Sequence, residues 1–184
     1  MPWQSKYRAR FVKPLVAQVM AIIRRDIAAA LADVNPAAKY PAFAQYDLSL
    51  LPVINFPAIL LLPQSVEFDK DAQETRHYSV RLYCSLAVRH QDPNQVAGIL
   101  EDYIAAVDEV LNSAWELTPG DFYRTDLELP SPPWPAGALS PGLQAGSLMF
   151  LFSEGHAYDE MRRVSQGLFA KTATCSILCE LEET

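Results

Sequence analysis

The chain has 184 residues, half of them hydrophobic and one fifth charged, and carries a net charge of −7 at pH 7. That length and apolar content support one good core and not two, and only seven glycines argue against wholesale disorder. The acidic balance argues against phosphate neutralisation as a primary role, so nucleic-acid binding is not the expected function.

The charge is unevenly spread. Lys6, Arg8, Arg10, Lys13, Arg24 and Arg25 all precede or adjoin the first acid, Asp26. Residues 1–11 read as a basic arm: either a solvated stretch, or an end that meets an acidic surface on a neighbouring copy or partner. No apolar run is long enough to span a membrane. The run LVAQVMAII is interrupted by Gln18 and followed at once by Arg24-Arg25-Asp26, with no small-residue cleavage site, so a cytoplasmic protein is expected.

From about Phe11 to Asp33 the periodicity predicts an amphipathic helix. Leu15, Val19, Ile23, Ile27 and Leu31 step by four, and Val12, Val16, Met20 and Ile22 widen the stripe. Pro14 fits only in the first turn, and Asn35-Pro36 ends the helix. Residues 37–55 read as a packed connection with an extended piece at Leu48–Ile54.

The next stretch is the most informative. An apolar strand, FPAILLLP, ends at Pro63, and a polar acidic hairpin tip follows, Glu67 to Ala72, with Phe68 and Asp69 placed to project into a neighbour. Then Tyr78, Val80, Leu82, Cys84, Leu86 and Val88 alternate with His77, Ser79, Arg81, Tyr83, Ser85 and Ala87. Period-two alternation predicts a strand with one buried face and one that is wet or shared with a partner, and Arg81 and Tyr83 lie on the latter. Asp92 is a good N-cap and Pro93 a good first helical residue. Val96, Ile99, Leu100, Tyr103, Ile104, Val107, Val110 and Leu111 then form a second helical stripe, with Glu101, Asp102, Asp108 and Glu109 on the other side.

Beyond Trp115 the pattern weakens. A strand near Phe122–Leu129 leads into a proline-rich loop, 130–141, in which Trp134 lies between Pro133 and Pro135 and needs either core or partner contact to escape water. Ser147–Phe152 reads as a buried strand, Tyr158–Val164 as a short helical turn, and Leu168–Leu181 as a final strand with Cys175 and Cys179 on one face. The expected architecture is a single α+β domain over 1–184: a mainly antiparallel or mixed sheet of four to five strands, with two long amphipathic helices on one face.

No catalytic constellation stands out. Cys84, Cys175 and Cys179 read as small buried hydrophobes, the alternative being a metal site completed by a histidine, for which the Cys-x-x-Cys spacing is missing. His77, His90 and His156 read as ordinary surface histidines. Nucleophile elbows, phosphate loops and dinucleotide fingerprints are missing, so neither an enzyme nor a cofactor is expected.

Taken in order, FPAILLLP, RHYSVRLYCSLAV, DPNQVAGILEDYIAAVDEVL and TATCSILCELEE resemble, over most of the chain from Val12 onward, the tail terminator proteins at the head–tail junction of phages and prophages, the lambda and Mu-type group. This chain differs from compact members in its 130–141 insertion and its extended 37–55 connection. The resemblance implies a virion structural protein, made in the host cytoplasm and acting in the particle. Its copies form a ring, typically of six, that halts tail-tube polymerisation and presents a surface to the head. The implied partners are further copies of itself, the tail tube protein and the head connector protein, with no membrane and no cofactor. Arg8, Arg10, Phe68, Asp69, Arg81, Tyr83 and Trp134 are the candidate interface residues. Two other readings are a different connector or tail-completion component, and a small cytoplasmic ligand-binding domain or enzyme.

Overall fold

The computed structural model describes residues 12–47, 55–70, 76–117 and 148–183. Two helices, α1 (Val12–Val34) and α2 (Pro93–Leu117), accompany six strands: β1 (Gln45–Asp47), β2 (Ala58–Lys70), β3 (Arg76–His90), β4 (Leu148–Tyr158), β5 (Arg162–Ser165) and β6 (Leu168–Glu183). The sheet order is β1-β2-β3-β6-β4, with β5 also paired to β6. Only the β1–β2 pair is parallel, so the sheet is mixed as expected, with one strand more than the four to five predicted.

The helices form where the stripes lie. In α1, Leu15, Val19, Ile23 and Ile27 are at most 1% exposed, and in α2 the same holds for Val96, Leu100, Tyr103 and Val107. Asp92 caps α2, its Oδ1 accepting from the Asn94 amide at 2.9 Å, one of the orphan donors of a helix start. The two stripes pack on each other and on one face of the sheet, where Ile59, Leu61, Val80, Leu82, Cys84, Leu86, Val88, Ala173, Cys175, Ile177 and Cys179 complete a single core cluster. Each large side chain fully buried there contributes about 1.5–3 kcal/mol of gross transfer free energy.

Three expectations are corrected. The strand does not stop at Pro63: β2 continues to Lys70, with a register shift between Pro63 and Ser65. Among the described residues only β1 pairs with that edge of β2, and it covers only Ala58–Leu60; past that point no described strand pairs there, so a residue without an N–H is tolerated and a bulge absorbs the irregularity. Phe68 and Asp69 therefore belong to β2 and not to the hairpin tip, opposite Tyr78 and His77 of β3. The helical turn expected at Tyr158–Val164 is instead the end of β4, a short connection and β5, joined to β6 through Gln166 and Gly167. Gly167, at φ +71°, supplies the left-handed backbone that this tight turn requires. The extended piece expected at Leu48–Ile54, the strand near Phe122–Leu129 and the loop at 130–141 lie outside the described residues; β1 was not foreseen.

Candidate functional site

Because both helices cover one face of the sheet, the other face is left to whatever lies beyond the described residues or to a partner. Its strand positions carry Leu60 and Leu62 from β2, Ser79, Arg81, Tyr83 and Ser85 from β3, and Thr172, Thr174, Ser176 and Leu178 from β6. Leu178 is only 8% exposed, while Leu60, Leu62 and Tyr83 are half-buried, so an apolar seam runs among hydroxyl residues. Arg81 lies across this surface: its Nε donates to Glu154 Oε2 at 3.2 Å and its Nη1 to Glu67 Oε1 at 3.3 Å. These pairs are exposed and contribute about 0–1 kcal/mol, so they orient the guanidinium more than they stabilise the fold.

A second concave feature lies at the far end of β3. A cleft of about 510 Å³ is lined by the turn after α1 (Lys39, Tyr40, Pro41), the entry to β2 (Phe56, Pro57), the end of β3 (Arg89, His90) and the first turns of α2 (Gln95, Ile99, Tyr103). Its walls are fixed from behind. Tyr103 donates to the Pro41 carbonyl at 2.5 Å, and its ring lies 5.1 Å from Phe43 and 5.7 Å from Tyr40. Burial, together with the Asp102 carboxylate that accepts its hydrogen bond, pushes the Tyr40 hydroxyl up to about 12, and burial beside Tyr40 and Tyr46 raises Tyr103 as well. Asp102 also accepts from Asn35 Nδ2 at 2.8 Å, tying the end of α1 to α2. At the mouth, the Arg89 guanidinium lies 5.2 Å above the Phe56 ring, and Lys39 sits at φ +48°, a left-handed conformation uncommon for a residue with a side chain. Lys39, Arg89 and His90 line the cleft with no carboxylate among the described lining residues.

Under α2 is a polar cluster that the sequence reading missed. Asp108 accepts from Ser153 Oγ at 2.6 Å and from His156 Nε2 at 2.8 Å, and His156 Nδ1 is buried without a partner. His156 is thus a half-buried strand residue and not a loop histidine. The cause is a bulge: the β4 register shifts between Glu154 and His156, with Gly155 at φ +64°, so Ser153 and His156, three residues apart, both face the helix. A glycine between a serine and a histidine was the visible signal. The carboxylate sits between serine and histidine, so His156 does not hold the Ser153 hydroxyl as a base would and the trio has no nucleophile–base contact. Cys84 and Cys175 face each other nearby across β3 and β6. The hydrogen bond to Cys175 and burial push the Cys84 thiol well above its ordinary range. All three cysteines are buried and outside any disulfide, and no three metal-ligating residues are grouped among the described residues.

Of the sequence-derived interface residues, Arg81 and Tyr83 share the sheet face opposite the helices. Phe68 and Asp69 lie further along the same hairpin, while Arg8, Arg10 and Trp134 fall outside the described residues.

No protein-family model and no curated protein sequence matches this chain. Among solved structures, a chain described as belonging to the virion of a native gene transfer agent particle is similar at a TM-score of 0.44 and 18% identity, over 90% of this chain and 94% of that one.

Proposed function

We propose that this chain is a structural subunit of a phage or prophage tail that assembles into a ring, terminates the tail tube and presents the surface joined by the head. The observation that carries the reading is the one-sided helix packing: both helices lie on one face of the sheet, and the opposite face carries an apolar seam of Leu60, Leu62, Tyr83 and Leu178 beside Arg81. A sheet covered on one side by its own helices leaves a broad, rigid surface suited to packing against another subunit. Recognition is then by shape and charge complementarity, with no chemical step. Partners on this reading are further copies, the tail tube protein and the head connector protein, in the assembled virion.

The experiment is electron microscopy of particles induced from the source strain with the gene deleted, with and without complementation. Overlong headless tails that return to normal length on complementation support termination. Normal-length tails that fail to join heads favour a neighbouring connector role. Particles unchanged by the deletion remove the virion reading.

A further inference from the structure

The sheet is electrically bipolar along β3. At one end, the paired strand positions of β2, β3 and β6 hold Glu67, Asp69, Glu180, Glu182 and Glu183, with Lys70, Arg76 and Arg81 as the cations, Arg81 being paired to Glu67; Arg76 lies opposite Glu183, His77 opposite Glu182 and Ser79 opposite Glu180. Five carboxylate positions against three cations leave this end acidic by two charges. At the other end lies the cleft with Lys39, Arg89 and His90 and no carboxylate in its described lining. Ser79 and Arg89 are ten residues apart on one continuous strand, about 33 Å at the usual rise. The acidic end of a copy therefore cannot reach its own cleft.

We propose that the cleft bounded by Lys39, Tyr40, Phe56, Arg89 and His90 receives the acidic end of the sheet of a second copy, making a head-to-tail contact between subunits. This rests on the reading of the chain as a self-assembling subunit and assigns the two surfaces that meet. A two-fold contact at either end would set like charges against each other, whereas a head-to-tail contact pairs acid with base at every junction. Such a heterologous contact closes into a ring when its rotation permits. The cleft offers what a carboxylate-bearing strand end needs. It has cations at the mouth, aromatic walls against which methylene stems pack, and a floor already held in place by the Tyr103–Pro41 hydrogen bond. Lys39 and Arg89 are exposed, so reversing their charge leaves the core intact.

The test is a charge swap read by sedimentation velocity at low and at molar salt. Wild-type protein is expected to self-associate at low salt and to dissociate as salt is raised. K39E/R89E and E180K/E182K should each weaken association by roughly tenfold or more while keeping the wild-type circular dichroism. A 1:1 mixture of the two variants, and the chain carrying all four substitutions, should regain association. Wild-type protein that stays monomeric, variants that associate normally, or swaps that restore nothing each overturn the proposal. A monomeric protein whose melting temperature rises with citrate, an effect lost in K39E/R89E, overturns it in favour of a small-anion site. The tail-terminating role is judged separately: if K39E/R89E restores normal tails, the role stands and this contact fails. If deletion leaves particles unchanged while the swap restores association, the contact stands and the role fails.

Discussion

Asp108 of α2 and His156 of β4 are joined at 2.8 Å, and the second carboxylate oxygen of Asp108 holds Ser153 at 2.6 Å. The helix is therefore fastened to the strand beside β6 by a carboxylate serving two donors, in addition to apolar packing. Hydrogen bonds to a charged group contribute about 1.5–3 kcal/mol, and the partial exposure of Asp108 lowers the expected value to about 1 kcal/mol per bond. Asp108→Ala should lower stability by about 2 kcal/mol in urea denaturation, and His156→Ala by about 1 kcal/mol. The double variant should show a coupling of about 0.5–1 kcal/mol. A coupling indistinguishable from zero would mean that the pair contributes orientation only.

The aromatic floor of the cleft predicts a specific alkaline weakness. Tyr40 keeps its proton to about 12 when folded, against an ordinary value of 10.0, because burial and the Asp102 carboxylate both oppose the phenolate. Between those values the unfolded chain has released the proton and the folded chain has not. The stability attached to this group is thus fully present below about pH 10 and is lost as pH rises toward 12. Tyr103, raised by burial, acts in the same direction. Urea midpoints measured at stepwise alkaline pH should fall over this window, and Tyr40→Phe should flatten the decline. An unchanged slope in that variant would place the sensitivity elsewhere.

Cys84 and Cys175 oppose each other in the core, 0% and 5% exposed, and Cys179 is 0% exposed. With its thiol pushed well above the ordinary range, Cys84 has almost no thiolate to react at neutral pH. A thiol reagent such as Ellman's should titrate none of the three in the native protein and all three in denaturant. Cys84→Ala should cost about 1 kcal/mol through the small void it leaves. Rapid labelling of native protein would show that the sheet opens far more readily than its packing implies.

What the sequence revealed and what it hid divide along physical lines. The helices and β3 were legible because each buries one face across many turns or alternations, so the period repeats often enough to read: Leu15 to Leu31, Val96 to Leu111, Tyr78 to Val88. The extension of β2 past Pro63 was hidden because a proline usually ends a central strand, and among the described residues the short β1 stops pairing with that edge at Leu60. The strands in 154–165 were hidden because their side chains are mostly exposed; an edge strand such as β5 has no buried face to impose alternation. The cleft and the Asp108 trio depend on tertiary encounters, Lys39 with Arg89 and Asp108 with His156, that spacing along the chain does not encode.

Three consecutive residues of β3 separate folding from assembly. Arg81 and Tyr83 lie on the face of β3 turned away from the helices, and Leu82, between them, is 0% exposed beneath the helices. Leu82→Ala should cost about 2–5 kcal/mol, because it removes core atoms that neighbours only partly replace. Arg81→Glu forfeits two exposed ion pairs with Glu67 and Glu154 and should cost no more than about 1 kcal/mol. Tyr83→Lys leaves the core untouched and, beyond the half-buried ring itself, should cost about 1 kcal/mol. If the face opposite the helices packs on another subunit, the order reverses in function. Arg81→Glu and Tyr83→Lys, though stable in urea, should fail to restore normal tail length in the deletion strain. Leu82→Ala should complement to whatever extent it remains folded at the growth temperature. Full complementation by both outer-face variants would remove this face from the assembly. Unfolding of either would mean that the chain covers the face itself.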